Sequence, residues 1–206
     1  MDKLILVNKG HGISRDYVPE HLVITDNNEN NFHKYLDPTL KPMIRRDVLK
    51  FFKELRKAAL EDKKLDIIID SGYRSSDYQA DLLIQIYKQY EQELKSESLA
   101  YDKAMARVAM PGHSEHQTGL AFDMACFRNG EYFDDMVDSP EAEWMAANAH
   151  NFGFILRYPE GKEDITGFQF EPWHYRFVGR KHSRYIHDNK ITFEEYHEQV
   201  LKRKLF

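Results

Sequence analysis

Residues 65–70 read LDIIID, a short β-branched run set between two long segments of helical period. Consecutive isoleucines are stiff at χ1 and suit a pleated strand. A run this short, bounded by turn signals, reads as a buried strand. On its N-terminal side Leu40, Ile44, Val48, Phe51, Leu55 and Ala59 recur at helical spacing. That stripe predicts a helix over about 38–62, with Asp37 as N-cap and Pro38 at the first helical position. On its C-terminal side Ala80, Leu83, Ile84, Tyr87 and Leu94 predict a second helix over about 76–95.

The mixture continues along the chain. A third helix near 98–109 is stopped by Pro111-Gly112. Leu120 to Phe127 alternates, with Leu120, Phe122 and Met124 on one face and Ala121, Asp123 and Ala125 on the other. Asn129-Gly130 is a hairpin signal. Ser139-Pro140 opens a helix that Gly153 closes. Phe154 to Arg157 and Phe168 to Val178 read as strands separated by a turn at Pro159-Glu160-Gly161. Thr192 with Glu195 forms a capping box for a last helix. The fold class is α+β: helices packed on a small, mostly antiparallel sheet. No repeat and no Pro-, Gly- or Ser-rich linker interrupts the 206 residues, so residues 1–206 are expected to form a single domain.

Net charge is -5, without clustered Lys or Arg, which argues against nucleic acid or an anionic membrane as the partner. No apolar run approaches the roughly 18 residues of a membrane helix. The first apolar run, Leu4 to Val7, is only four residues long, shorter than the core of a signal peptide. Cytoplasmic localisation is the expectation. The single cysteine, Cys126, excludes an intramolecular disulfide and reads as a small buried apolar residue. The sequence leaves the oligomeric state open, a homodimer included.

Three clusters carry the chemistry: Ser71 to Ser75 with Gln79 just beyond, Ser114 to Asp123, and Glu171 to His174. Gly119 lets the chain fold back, so that loop residue His116 leans over the strand face carrying Asp123. His174 and Arg176 share one face of a later strand. If the two strands are neighbours, His116, Asp123 and His174 converge into an open zinc site. Zinc lowers the pKa of a bound water towards 7. Glu171, three residues before His174 with Pro172 bending the strand between them, can approach the metal without ligating it and serve as a base. Arg74 at a loop tip can stabilise an oxyanion or grip a carboxylate. Taken singly, each of these spacings also arises by chance.

The combination is more specific. SGYRSSDYQ, PGHSEHQTGLAFDM and EPWHYRFVG, in this order, closely resemble the VanY-type D-alanyl-D-alanine carboxypeptidases, relatives of the VanX dipeptidases and the L,D-carboxypeptidases. FGFILRYPEGKEDITGFQFEPWHYRFVG is similar to the cytoplasmic bifunctional VanXY enzymes. The likeness runs from LVNK near the start to the YH around residue 196. It implies a Zn2+ held by His116, Asp123 and His174, with Glu171 as base and then acid and Arg74 at the scissile carbonyl. It also implies that Gln79 and Ser114 help hold the terminal substrate residue. The implied substrate is a peptidoglycan precursor peptide or the D-Ala-D-Ala dipeptide, and the implied role is removal of a terminal D-alanine. In vancomycin-resistant bacteria that step eliminates the drug's target.

Plainer roles stand beside these. Ser76 with Gln79 has capping-box spacing, so Gln79 can simply close a helix start. Ser114 can cap a turn, and Arg74 can pair with Asp70 or Asp77. His113 is expected to hydrogen-bond or face solvent, and Trp173, Tyr175 and Phe177 to serve the core. Two other functions fit the same residues. One is an L,D-carboxypeptidase acting on tetrapeptide stems. The other is a non-catalytic, zinc-containing module that binds wall peptides.

Overall fold

The computed structural model describes residues 2–25 and 41–201. Its elements in chain order begin with strands β1 (Leu22–Ile24) and β2 (Met43–Arg45), helix α1 (Arg46–Lys63) and strand β3 (Asp66–Ser71). Helices α2 (Ser76–Leu94) and α3 (Glu97–Arg107) follow, then a 3-10 turn (Glu115–Thr118) and the hairpin β4 (Ala121–Arg128) and β5 (Glu131–Phe133). The C-terminal part holds α4 (Pro140–Asn148), β6 (Phe154–Leu156), α5 (Glu163–Thr166), β7 (His174–Phe177), α6 (Arg180–Asp188) and α7 (Phe193–Tyr196).

β1 and β2 form a small ribbon, and the main sheet runs β3-β4-β7-β6 with β5 paired to β4. Every pairing is antiparallel. The architecture is therefore the expected α+β, helices on a small antiparallel sheet.

Strand alternation decides what each face carries. Ile67, Ile69, Phe122, Met124, Tyr175 and Phe177 point to one side and join α1 and α4 in the principal core. Their sequence neighbours Asp123, His174 and Arg176 are left for the other side, where polar chemistry can sit on a rigid platform. Cys126 is part of the core, and burial pushes its thiol up to about 12. Trp173 is partly buried and packs against the same core.

Two sequence expectations need correction. The first helix begins at Arg46 rather than 38, because Met43–Arg45 is a strand. Its backbone is hydrogen-bonded outwards rather than along a helix: Val23 pairs with Ile44, and the Tyr73 N–H donates to the Met43 carbonyl at 2.6 Å. Ile44 fits the helical stripe yet is buried equally well from a strand. The Asp37-Pro38 cap lies outside the described residues. The second correction concerns 168–178, where only His174–Phe177 is a strand. Pro172 has no N–H for a ladder. The chain turns there instead, with the His174 N–H donating to the Glu171 carbonyl at 3.1 Å.

The helix opened at Ser139-Pro140 ends at Asn148, and a 3-10 turn over Ala149–Phe152 carries the chain to Gly153. The other expected elements match more closely, including the hairpin at Asn129-Gly130 and the Thr192–Glu195 capping box. On α2 the apolar positions do not form a core stripe: Ile84 is 51% exposed, and the buried members of the helix are Ser76 and Gln79.

Candidate active site

Three segments deliver the site to the polar face of β4 and β7. The 3-10 turn that carries His116 ends at Gly119, whose φ of 65° reverses the chain into β4. Asp123 is then the third residue of β4 and stands directly opposite His174 of β7. The loop after β3 passes beneath His116 at Gly72. A Cβ there would lie 2.0 Å from the Met43 carbonyl oxygen, so no other residue allows this approach. The Gly72 carbonyl accepts from His116 Nδ1 at 2.6 Å, which turns Nε2 towards Asp123 and His174.

The three sequence-predicted ligands meet. His116 Nε2 lies 3.3 Å from Asp123 Oδ1 and 3.2 Å from His174 Nδ1, and His174 Nδ1 lies 3.0 Å from Asp123 Oδ1. A tetrahedral zinc with bonds of about 2.0–2.1 Å has ligand–ligand edges of about 3.3–3.4 Å. The triangle of donor atoms fits one such face nearly without adjustment. Among the described residues His150, His187 and Asp188 also bring their donor atoms close together, but only His116, Asp123 and His174 do so in a largely buried setting.

The seat favours positive charge. Burial, helped by the nearby Arg74, holds His116 down to about 4, so its imidazole is neutral. Burial opposes charge on His174 too, but Asp123 and Glu115 outweigh it and raise that imidazole to about 9. Asp123 is held well below the usual carboxylate range: burial works against its charge, and the Arg74 guanidinium and the hydrogen bond from His174 overcome it. Arg74 Nη2 reaches two of the same side chains, 2.6 Å from Asp123 Oδ2 and 2.5 Å from His116 Nε2. Arg74 thus pairs with Asp123 and not with Asp70 or Asp77.

Glu171 sits beside this set without joining it. Its Oε2 is 3.9 Å from His174 Nδ1, and the turn before β7 places it there, its own N–H bonded to the Tyr158 carbonyl at 3.1 Å. The side chain is only 7% exposed, and burial raises its carboxyl to about 7, partly offset by His174. A carboxyl poised near neutrality can both accept and return a proton.

A cleft of about 190 Å³ opens over these groups. Ser114 and Gln79 line it, as do Arg107, Phe168 and Trp173. Gln79 does not cap α2: Ser75 does so by accepting from the Tyr78 N–H. Gln79 is buried, donates to the Ala109 carbonyl at 2.9 Å and faces Arg74 Nη1 at 3.5 Å. Ser114 precedes the 3-10 turn without a side-chain capping bond. His113 hydrogen-bonds the Asn8 carbonyl at 2.8 Å, the structural role expected of it.

Sequence reasoning missed a buried ionic group under His174. Glu115, Arg157 and Arg176 are each at most 1% exposed. Glu115 accepts from Arg157 Nε at 2.9 Å and from Arg176 Nη1 at 2.7 Å. The available signal was positional: Glu115 lies inside the His116 motif, and Arg176 shares the strand face of His174.

Two imidazoles and a carboxylate around one point, with a shielded glutamate beside them, define a metal-dependent hydrolase. Similarity narrows the class. A sequence model described as VanY, D-alanyl-D-alanine carboxypeptidase, matches residues 41–180. The bifunctional D-Ala-D-Ala dipeptidase and D-Ala-D-Ala carboxypeptidase VanXYC of Enterococcus gallinarum is 38% identical over 205 residues, spanning 97% of this chain and 96% of that protein. The D,D-pentapeptidase VanY from a VanB-type resistance cassette, solved as a mutant in complex with Zn(II), superposes with a TM-score of 0.79 at 31% identity. That match covers 94% of this chain and 98% of the other. The LD-carboxypeptidase LdcB superposes at 0.77 with 39% identity, covering 96% and 86%. The chain belongs to the VanY family of D-alanyl-D-alanine carboxypeptidases.

Proposed function

We propose that this protein is a zinc-dependent D,D-carboxypeptidase that hydrolyses the terminal D-alanine from peptidoglycan precursor peptides, with D,D-dipeptidase activity on D-Ala-D-Ala as well. The observation that carries the reading is the donor triangle of His116 Nε2, Asp123 Oδ1 and His174 Nδ1, with edges of 3.0–3.3 Å. Zinc held there supplies a Lewis acid and acidifies a water. The neutral His116 and the carboxylate of Asp123 hold it together with His174. Glu171 takes a proton at Oε2 as water adds to the scissile carbonyl, then delivers it to the leaving amine; its burial keeps the carboxyl near the required pKa. Arg74 neutralises the developing oxyanion. Gln79 steadies the Arg74 guanidinium, and Gln79 and Ser114 bound the pocket for the terminal residue.

The decisive experiment is identification of products by mass spectrometry from a pentapeptide ending in D-Ala-D-Ala, a tetrapeptide and the free dipeptide. D-alanine release from the first and third substrates is expected. It should disappear with a chelator and fall by about 10²- to 10⁴-fold in Glu171→Gln, which keeps the ligand set but cannot carry the proton. Loss of the variant's zinc along with its activity would instead make Glu171 structural.

The likeness to LdcB supports a second reading, an L,D-carboxypeptidase, and turnover of the tetrapeptide alone would select it. Zinc binding without turnover of any substrate would select the non-catalytic module. The same proposal takes residues 1–206 as one domain and places the protein in the cytoplasm, the latter on the VanXY likeness; fractionation of producing cells tests that placement.

A further inference from the structure

Glu115 has no role in the proposed reaction, yet two buried guanidinium groups fix its carboxylate. Its Oε1 accepts from Arg157 Nε at 2.9 Å and Arg176 Nη1 at 2.7 Å. Both guanidinium groups are fastened in turn. Arg157 donates to Glu194 at 2.9 and 2.5 Å, and Arg176 Nη2 donates to the carbonyls of Lys3 and Ile5 at 3.1 and 2.8 Å. A buried ionic group of this kind is weak as a source of stability, since apolar side chains often replace one without loss. What it does provide is a fixed direction. The other oxygen, Oε2, is buried with no hydrogen bond among the described residues and lies 3.7 Å from His174 Nε2, which is also buried and likewise has none.

The two nitrogens of His174 have different surroundings. Nδ1 faces Asp123 Oδ1 at 3.0 Å and His116 Nε2 at 3.2 Å. A neutral imidazole that offers the Nδ1 lone pair to a metal carries its proton on Nε2. A buried N–H needs an acceptor. Closing 3.7 Å to a hydrogen bond takes less than about 1 Å of ring movement. His116 meets the same requirement through the Gly72 carbonyl.

We propose that Glu115 is the positioning residue of His174: its Oε2 takes the Nε2–H, fixes the tautomer and presents Nδ1 to the metal. Arg157 and Arg176 keep the carboxylate from turning away. This rests on the His116–Asp123–His174 metal reading and extends it to the shell beyond, where metal-bound histidines commonly donate to a carboxylate or carbonyl.

The test is zinc affinity, measured by competition with a chromophoric chelator at neutral pH, together with the histidine tautomer in the zinc-loaded protein from long-range proton–nitrogen NMR. Glu115→Gln can still accept from both arginines but sets an amide N–H₂ against His174. Its zinc affinity should fall by about 10- to 100-fold with the circular dichroism spectrum unchanged. The loaded wild-type protein should show the His174 Nε2–H slowly exchanging and strongly shifted downfield, the mark of a hydrogen bond to a carboxylate that a merely structural glutamate would not make. This readout holds even if the variant fails to fold, and an Nε2–H without that shift overturns the proposal. Unchanged zinc affinity in a folded variant, or a proton on Nδ1 in the loaded wild type, overturns the proposal. The metal reading itself fails differently: wild-type protein that takes up no zinc, or takes it up equally well after His116→Ala.

Discussion

Gly72 shows how one missing methyl group shapes the site. The Met43 carbonyl oxygen sits 2.0 Å from where a Gly72 Cβ would be, and Gly72's own carbonyl orients His116. Gly72→Ala must push the loop away from β2, an overpacking that costs about 1–3 kcal/mol. It must also turn His116, because the Nδ1–carbonyl bond cannot survive the shift. The variant should therefore melt lower and hold zinc more weakly, read by calorimetry and by metal content after dialysis. A lower melting point with full zinc content would show that His116 is oriented by other contacts. At this scale much of the site is readable from the chain: the structure brings together His116, Asp123, His174, Glu171 and Arg74, since three short motifs carry them at fixed local offsets. Gln79 was ambiguous because its spacing from Ser76 imitates a cap. Glu115 was unreadable for another reason. Its role is set by Arg157 and Arg176, 42 and 61 positions away, and no local pattern announces such partners.

Elements were legible where local signals and tertiary needs agreed. Ser139 caps α4 and Pro140 opens it, as their order along the chain implies. They were misread where a tertiary partner overrode the period, as at Met43–Arg45, or where proline ended a ladder, as at Pro172. The join between β4 and α4 offers a test at the same scale. Arg128 at the end of β4 donates to Glu141 at 3.2 and 2.5 Å, across a hairpin and a loop. Burial pushes the Glu141 carboxyl up, but the Arg128 bonds outweigh it and leave the pKa below its ordinary value. A depressed folded pKa means that the ionised group stabilises the fold above its unfolded pKa of about 4.3, and that this contribution disappears as pH falls through the folded value. With Arg128 36% exposed, the bond is worth about 1 kcal/mol rather than more. Glu141→Gln should melt below the wild type at pH 7, and the gap should close once the pH has fallen through the depressed folded pKa. A gap that persists in acid would assign the loss to packing instead.

On the scale of the whole molecule, the family match ends at residue 180, yet the site depends on chain beyond both of its ends. Arg176, beneath His174, spends two of its donor contacts on the carbonyls of Lys3 and Ile5. Arg157 relies on Glu194, which also accepts from Asn8 Nδ2 at 3.1 Å. The N-terminal segment and α7 thus both brace the buried ionic group, meet each other at the Asn8–Glu194 hydrogen bond, and are tied through it to the sheet. Removing residues 1–9 would leave a buried guanidinium short of acceptors. Breaking one side of such a group costs about 3–5 kcal/mol, which for a chain of this length corresponds to a fall in melting temperature on the order of 10 °C. The full chain should unfold in one calorimetric transition, and the truncated chain should melt lower and bind zinc less tightly, because Glu115 loses part of its support. Two separate transitions in the full chain, or a truncated protein with unchanged melting and zinc affinity, would mean that the termini are ornaments on an independent core rather than part of the frame that holds the site.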